Sequence, residues 1–227
     1  YFSPTSLSGF TYQQNLGLST VKTLSLGGLV LSSNIRLEMK YGKYEMSLSN
    51  TTYTGYTAIN LPVSGSKVSP TNIYVRLKAG YTEGSHLDTI FVSSTGYTTK
   101  SIPLSGTITT AASLTVSPSS LTFNSYNYGA GPSNILYFDV SGSNLVYNTT
   151  VTPPSDFEIA TTSGGTYQST ALTYTPANLA TPQRVYVRMK AGQSAGAHTS
   201  NIVVASTGAT SKTVTCNGNV NPQATIR

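Results

Sequence analysis

Apolar and polar residues alternate along many short stretches of this chain. Ile73, Val75 and Leu77 alternate with Tyr74, Arg76 and Lys78, and Leu136, Phe138 and Val140 alternate with Tyr137 and Asp139. A period of two places the apolar set on one face of an extended strand, so each run reads as a half-buried strand. The same rhythm recurs at Ile35-Leu37-Met39, Tyr44-Met46-Leu48, Ile59-Leu61-Val63, Ile90-Val92 and Val214-Cys216. Leu26-Gly27-Gly28, Ser64-Gly65-Ser66, Ser141-Gly142-Ser143 and Ser163-Gly164-Gly165 read as the turns between runs. No segment carries a sustained 3.6-residue apolar stripe with helix caps.

The pattern occurs twice. IYVRLKAG from Ile73 to Gly80 matches VYVRMKAG from Val185 to Gly192, at a spacing of 112. That spacing continues through Gly84-Ser85-His86 with Gly196-Ala197-His198, Lys100 with Lys212, and Gly106 with Gly218. It becomes 113 at Tyr44-Glu45-Met46 with Phe157-Glu158-Ile159, and 114 at Ser3-Pro4 with Ser117-Pro118 and Ser19 with Ser133. Small shifts of phase belong in loops, so the chain reads as two copies of one module, 1–109 and 110–227. About seven to nine strands per module, with turns every 8 to 12 residues, predict an all-β fold of two tandem antiparallel Ig-like β-sandwich modules. TITTAAS, Thr107 to Ser113, reads as a short connector that limits the freedom of one module relative to the next.

Tyr1 begins where Thr115 lies in the second copy, and Asn219 to Arg227 runs past the last strand into what reads as the next connector. Tyr1 is not an initiator Met and no leader precedes it, which predicts a processed mature form or a cut fragment. The phase of the two ends predicts a slice of a longer array, or a subunit whose tail continues onto a neighbour.

Composition narrows the setting. Charged residues are 9% of the chain and polarity comes mainly from Ser, Thr, Asn and Gly, unlike a helical protein whose exposed faces carry Lys and Glu. The net charge of +6 is spread along the length, and only Lys40 and Lys43 approach a cluster. Phosphate tracking calls for a concentrated basic stripe, so nucleic acid is not the expected partner. No apolar run approaches the roughly 20 residues of a membrane-spanning helix, so no membrane insertion is expected. The single Cys216 excludes an intrachain disulfide and a multi-cysteine zinc site.

LTVSPSSLTFNSYNYGAGPSNILYFDVSGSNL (Leu114 to Leu145), VTPPSDFEI (Val151 to Ile159), VYVRMKAG and IVVASTGATSKTVTCNGNV (Ile202 to Val220) resemble the repeated Ig-like modules of large exported surface proteins of Bacteroidetes-type bacteria. Such modules sit beside hydrolase, lamin-tail or cargo-sorting domains and are often type IX secretion substrates. The resemblance covers nearly all of the chain and implies an extracellular or cell-surface setting, with no shared catalytic or binding residues to carry over. The first copy departs from the pattern at Leu29 to Lys43.

Candidate chemistry is sparse. His86 and His198 fall at equivalent places, one per module, and read as rings packed at a strand entrance rather than as a metal pair. Cys216 stands where the first copy has Leu104 and reads as a small core residue. Asp156 and Glu158 lie two apart and would share a face, yet Lys43 stands opposite Asp156 in the first copy, which argues against a glycosidase pair. No enzyme activity, metal or cofactor is expected. Asn50-Thr51-Thr52 and Asn148-Thr149-Thr150 fit the N-glycosylation pattern, incidental in a bacterial setting, and Asp88-Thr89-Ile90 resembles a bacterial O-glycosylation tripeptide. The repeated sets Tyr74, Arg76, Lys78 and Tyr186, Arg188, Lys190 share an outward strand face and form the candidate binding face, able to stack on sugars or pair with acidic groups. The chain is therefore expected to be a noncatalytic extracellular structural or adhesive unit: a stalk, adhesin segment or fibre subunit. Its partners would be neighbouring modules of the same or identical chains. The alternative is a carbohydrate-binding accessory module that takes surface glycans.

Overall fold

The computed structural model describes residues 1–55 and 57–223. The chain is all-β and forms two compact units, Tyr1–Thr110 and Ala111–Arg227. The first unit runs through β1 (Phe2–Ser3), β2 (Leu7–Gln13), β3 (Lys22–Leu29), β4 (Ile35–Met39), β5 (Tyr44–Ser47), β6 (Ala58–Leu61), β7 (Lys67–Leu77), β8 (Gly84–Ser93) and β9 (Lys100–Thr109). These make two sheets, β1-β3-β7-β5 and β2-β9-β8-β4-β6. The inward positions of both sheets, among them Phe10, Leu24, Tyr44, Val75, Ile90 and Ile102, are fully buried between them, as the period-two pattern requires.

The second unit repeats the plan with β10 (Ser113–Ser117), β11 (Ser120–Thr122), β12 (Tyr126–Asn127), β13 (Leu136–Ser143), β14 (Thr149–Thr152), β15 (Phe157–Ala160), β16 (Leu172–Tyr174), a helix α1 (Pro176–Leu179), β17 (Gln183–Met189), β18 (Gly196–Ser206) and β19 (Lys212–Asn221). Its sheets are β10-β13-β17-β15 and β11-β19-β18-β14-β16, with β12 also on β19. Each otherwise antiparallel sandwich carries parallel pairing at its last strand: β2 on β9 at Leu7↔Leu104, and β11 on β19 at Leu121↔Cys216.

Several local expectations are corrected. Gly27, Gly28 and Gly142 are strand residues, not turn residues, because the fold needs their missing side chains for close approach. A Cβ on Gly27 would stand 2.6 Å from the Tyr1 hydroxyl; on Gly28 it would stand 2.6 Å from Leu31 Cδ1, and on Gly142 2.5 Å from Leu145 Cδ1. The last two are one device repeated, with a residue at positive φ, Val30 or Asn144, turning the chain so that the following leucine covers the glycine. The connector is shorter than TITTAAS. Ile108 is buried and Thr107 to Thr109 belong to β9, while Ser113 opens β10, leaving 110–112 between strands. Leu48 is 55% exposed, and it and Val63 lie beyond their strands.

The helix α1 was not expected, since four residues are too short to show a helical stripe. Its signal is the cap: the Thr175 hydroxyl accepts from Asn178 N–H at 3.3 Å, Asn178 Oδ1 accepts from Thr175 N–H at 2.9 Å, and Pro176 takes the first turn. Leu179 is thereby delivered into the second core. The expected tail begins too early: Asn219 to Asn221 pair with β18 or β12 as the end of β19, so only 222–223 of the described residues follow the last strand, and 224–227 lie outside the described residues.

Candidate functional site

The two candidate arginines stand on the central strands β7 and β17, each opposite a glutamate on the neighbouring strand: Glu45↔Arg76 and Glu158↔Arg188. Each Nε donates to its carboxylate at 2.6 Å. Each guanidinium also lies over a tyrosine ring, Tyr53 at 3.8 Å and Tyr167 at 4.0 Å. Burial raises the pKa of both phenols, and the arginine charge offsets part of that rise. The result is a Tyr–Arg–Glu stack present once in each unit and largely withdrawn from solvent, with Glu45 the more deeply buried acid. Tyr53 and Tyr167 lie 114 apart and lack any strand signal of their own, so the pattern along the chain does not connect them to these arginines.

The lysines are engaged as well. Lys78 Nζ donates to the Gly42 carbonyl at 2.9 Å and Lys190 Nζ to that of Ser155 at 2.5 Å. The ends of β7 and β17 are held by repeated bonds: Ser19 Oγ accepts from Leu77 N–H and Ser133 Oγ from Met189 N–H, both at 2.9 Å. The Tyr12 hydroxyl donates to the Lys78 carbonyl at 2.8 Å, and Tyr126 makes the equivalent bond to Lys190. Both phenols are raised chiefly by burial. Tyr74 and Tyr186 are half-buried.

The two units differ beyond this shared stack. In the second, Tyr137 on β13 stands opposite Tyr186 with ring centroids 6.1 Å apart, and Arg184 covers Tyr137 at 3.8 Å. Arg184 also binds both Asp139 carboxylate oxygens, at 3.0 and 3.3 Å, which raises the guanidinium pKa. In the first unit the corresponding positions hold Thr23 and Asn72, so this wider aromatic and arginine face belongs to the second unit. Tyr137 is 45% exposed.

The histidines also part company. His198 faces two acceptors, Asp156 Oδ2 at 3.0 Å from Nδ1 and the Ser194 carbonyl at 2.9 Å from Nε2. A neutral imidazole donates from one nitrogen only, so the doubly protonated ring fits. The Ser194 carbonyl, then the Asp156 carboxylate, raise the His198 pKa; hydrogen bonds from His198 and then Ser155 lower that of Asp156. In the first unit His86 Nε2 meets the Thr82 carbonyl at 2.8 Å, while its buried Nδ1 has no hydrogen-bond partner. Lys43 stands where the second unit has Asp156, and the local carboxylate is Asp88 on β8, accepting from Tyr41, Lys43 and Thr89 N–H at 2.9, 2.9 and 2.8 Å. Asp88 is thus committed to the turn before β5.

Asp156 and Glu158 do not share a face. Asp156 sits in the turn before β15 and pairs with His198, whereas Glu158 lies on the strand and pairs with Arg188. Cys216 is fully buried and its thiol is pushed up to about 12 by burial. Ion pairs between strands and a buried, protonated thiol fix a fold; they do not place a nucleophile beside a base. Among the described residues no three of His, Cys, Asp and Glu gather as a metal site, and no helix is long and apolar enough to cross a membrane.

No protein-family model matches the chain, and no curated protein matches it. Solved structures similar to it include a chain called BspA_C_mut, at 9% identity and TM-score 0.41, covering 93% of this chain and 94% of that one. The DIP-gamma IG1+IG2 structure is similar at 9% identity and TM-score 0.35, with 97% of both chains covered. The titin I-band fragment I67-I69 is similar at 12% identity and TM-score 0.33, covering 99% of this chain and 65% of that one.

Proposed function

We infer that the chain is a noncatalytic extracellular building block, a stalk, adhesin segment or fibre subunit, acting through protein–protein or surface contacts. The observation that supports it is the use to which the repeated charged residues are put. Arg76, Arg188, Lys78 and Lys190 each bind a partner within their own unit, so repetition at these positions serves the sandwich. The two modules, 1–109 and 110–227, act as successive units of a larger assembly, and the resemblance to exported Bacteroidetes-type surface modules supports a cell-surface setting. Size exclusion with light scattering, followed by negative-stain electron microscopy, tests this: elongated particles or regular fibres are expected. Compact monomers that turn over a substrate would discard it.

One observation favours a second reading, carbohydrate binding. The second unit presents Tyr137 beside Tyr186 with Arg184 across the ring, a surface on which a sugar could stack. Substituting Tyr74 and Tyr186, then Tyr137, by Ser and measuring binding to surface polysaccharide separates the readings. A saturable ligand lost in these variants makes the chain a glycan-binding module; unchanged binding removes this face.

A further inference from the structure

The outer face of the sheet β10-β13-β17-β15 departs from its counterpart in the first unit at one place. Tyr137 and Asp139 on β13 stand opposite Tyr186 and Arg184 on β17. In the first unit the equivalent pairs are Thr23 with Tyr74 and Ser25 with Asn72, so only the second unit joins paired aromatic rings to an ion pair. Hydrogen bonds from Arg184 to both carboxylate oxygens of Asp139 fix the guanidinium over one side of the Tyr137 ring. The tyrosine is thereby held before any ligand arrives, which lowers the ordering cost of binding. β10 ends at Ser117, opposite Asp139, and the chain then crosses to the other sheet, where the Ser119 carbonyl accepts from Thr215 N–H. Among the described residues no strand flanks Tyr137 on that side, and the residue stays exposed, as does Ile135 before it.

Size and charge narrow what this place takes. The exposed apolar side chains Tyr137 and Ile135 fall far short of the roughly 800 Å² that each partner hides in a stable protein–protein contact. The charges on the face cancel, Arg184 against Asp139 and Arg188 against Glu158, and among the described residues of these strands no cation is left over to attract an acidic ligand. The pair still has bonding capacity, because a guanidinium carries further N–H groups and each carboxylate oxygen a further lone pair. A pyranose has the matching chemistry: a C–H face that packs on an aromatic ring, and a rim of hydroxyls that both donate and accept. We propose that Tyr137, Arg184 and Asp139 form a site for a neutral polysaccharide, with a sugar ring on the open side of Tyr137 and its hydroxyls on the Arg184–Asp139 pair. This rests on the carbohydrate-binding reading and adds the class of its ligand. Tyr137 stands on a sheet face, where a single sugar is covered from one side only, so a polymer that presents many copies is held where a monosaccharide is not.

Affinity electrophoresis of the full chain tests this with neutral polymers, a β-glucan, a xylan and a mannan, and with the acidic polymers alginate and polygalacturonate. Retardation by a neutral polymer, unmoved by added salt, is expected, with none by the acidic polymers. Tyr137→Ser should weaken it roughly threefold to tenfold, Arg184→Ala should weaken it as well, and Tyr137→Phe should keep it. Tyr74→Ser should change nothing, since the first unit lacks the ion pair beside that ring; melting curves check that each variant folds as the parent does. Free monosaccharide should not compete, and competition by it would overturn the polymer as ligand. Salt-sensitive retardation by an acidic polymer, lost in Tyr137→Ser, would overturn the neutral class and leave a glycan-binding module. Neutral binding that survives in Tyr137→Ser overturns the site and leaves a module that binds glycan elsewhere. A folded parent retarded by none of these polymers overturns both the site and the carbohydrate-binding reading, and leaves the building block.

Discussion

His198 and Asp156 form an ion pair, Nδ1 to Oδ2 at 3.0 Å, at a place where the first unit has His86 and Lys43 and so makes none. The Ser194 carbonyl and then Asp156 raise the histidine above its ordinary 6.5, and the hydrogen bond from His198 lowers the carboxylate below its ordinary 3.8. The histidine's contribution to stability is complete below 6.5 and is lost as pH rises through its raised value. That of the carboxylate is complete above 3.8 and is lost as pH falls through its lowered value. Melting curves of the parent and His198→Gln should therefore differ most between pH 3.8 and 6.5, and the gap should shrink above and below. A gap that ignores pH would remove the ion pair from the account.

The Tyr–Arg–Glu stacks predict an order of effects. Arg76→Ala strands Glu45, whose side chain is 9% exposed, while Arg188→Ala strands Glu158 at 17%. Losing one partner of a fully buried pair costs about 3–5 kcal/mol, and these partly exposed pairs should cost less, about 2–3 kcal/mol for Arg76→Ala. Denaturant unfolding should show Arg76→Ala the more damaging of the two. Equal effects would mean that burial of the acid does not set the cost.

Gly106 is pressed against the parallel neighbour of its strand. A Cβ there would lie 2.6 Å from the Phe10 carbonyl oxygen and 2.9 Å from the Tyr44 hydroxyl, which donates to the His86 carbonyl at 2.7 Å. Gly106→Ala should destabilise the first unit by about 1–3 kcal/mol, since the nearest atom is backbone and has little room to yield. At Gly218 the first obstacle is the flexible Met189 sulfur, at 2.6 Å, so Gly218→Ala should cost less. Calorimetry of the two variants reads the difference, and a Gly106→Ala protein as stable as the parent would contradict the close approach.

Cys216 should be chemically silent in the folded protein. Its thiol is pushed up to about 12 and fully buried, so thiolate is scarce at neutral pH. Labelling with iodoacetamide should be slow in buffer and should rise sharply through the unfolding transition. Prompt labelling of the native chain would place the thiol outside the core.

The all-β architecture and its duplication were legible because both follow from spacing. Period two marks the buried faces of β4, β7, β8 and β13, and the recurrence of VYVRMKAG and Lys212 marks the second sandwich. Burial of Cys216 was legible too, since an apolar phase with Leu104 as its counterpart needs no coordinates. Contacts between residues far apart along the chain were not. Arg76 meets Tyr53 and Glu45 only because β5 and the segment after it fold beside β7, and no local pattern distinguishes that arginine from one reaching into solvent.

Glycine is the clearest case of a residue with two readings. Gly28 and Gly142 look like turn residues beside serines and leucines, and only the packed structure shows a leucine three residues later lying over each of them. The sequence by itself determined the strands, their faces and the repeat, because periodicity is a property of neighbouring residues. The tertiary structure alone decided which side chains are consumed in pairs and which glycines make room. Those are properties of surfaces brought together from distant parts of the chain, and they exist only once it has folded.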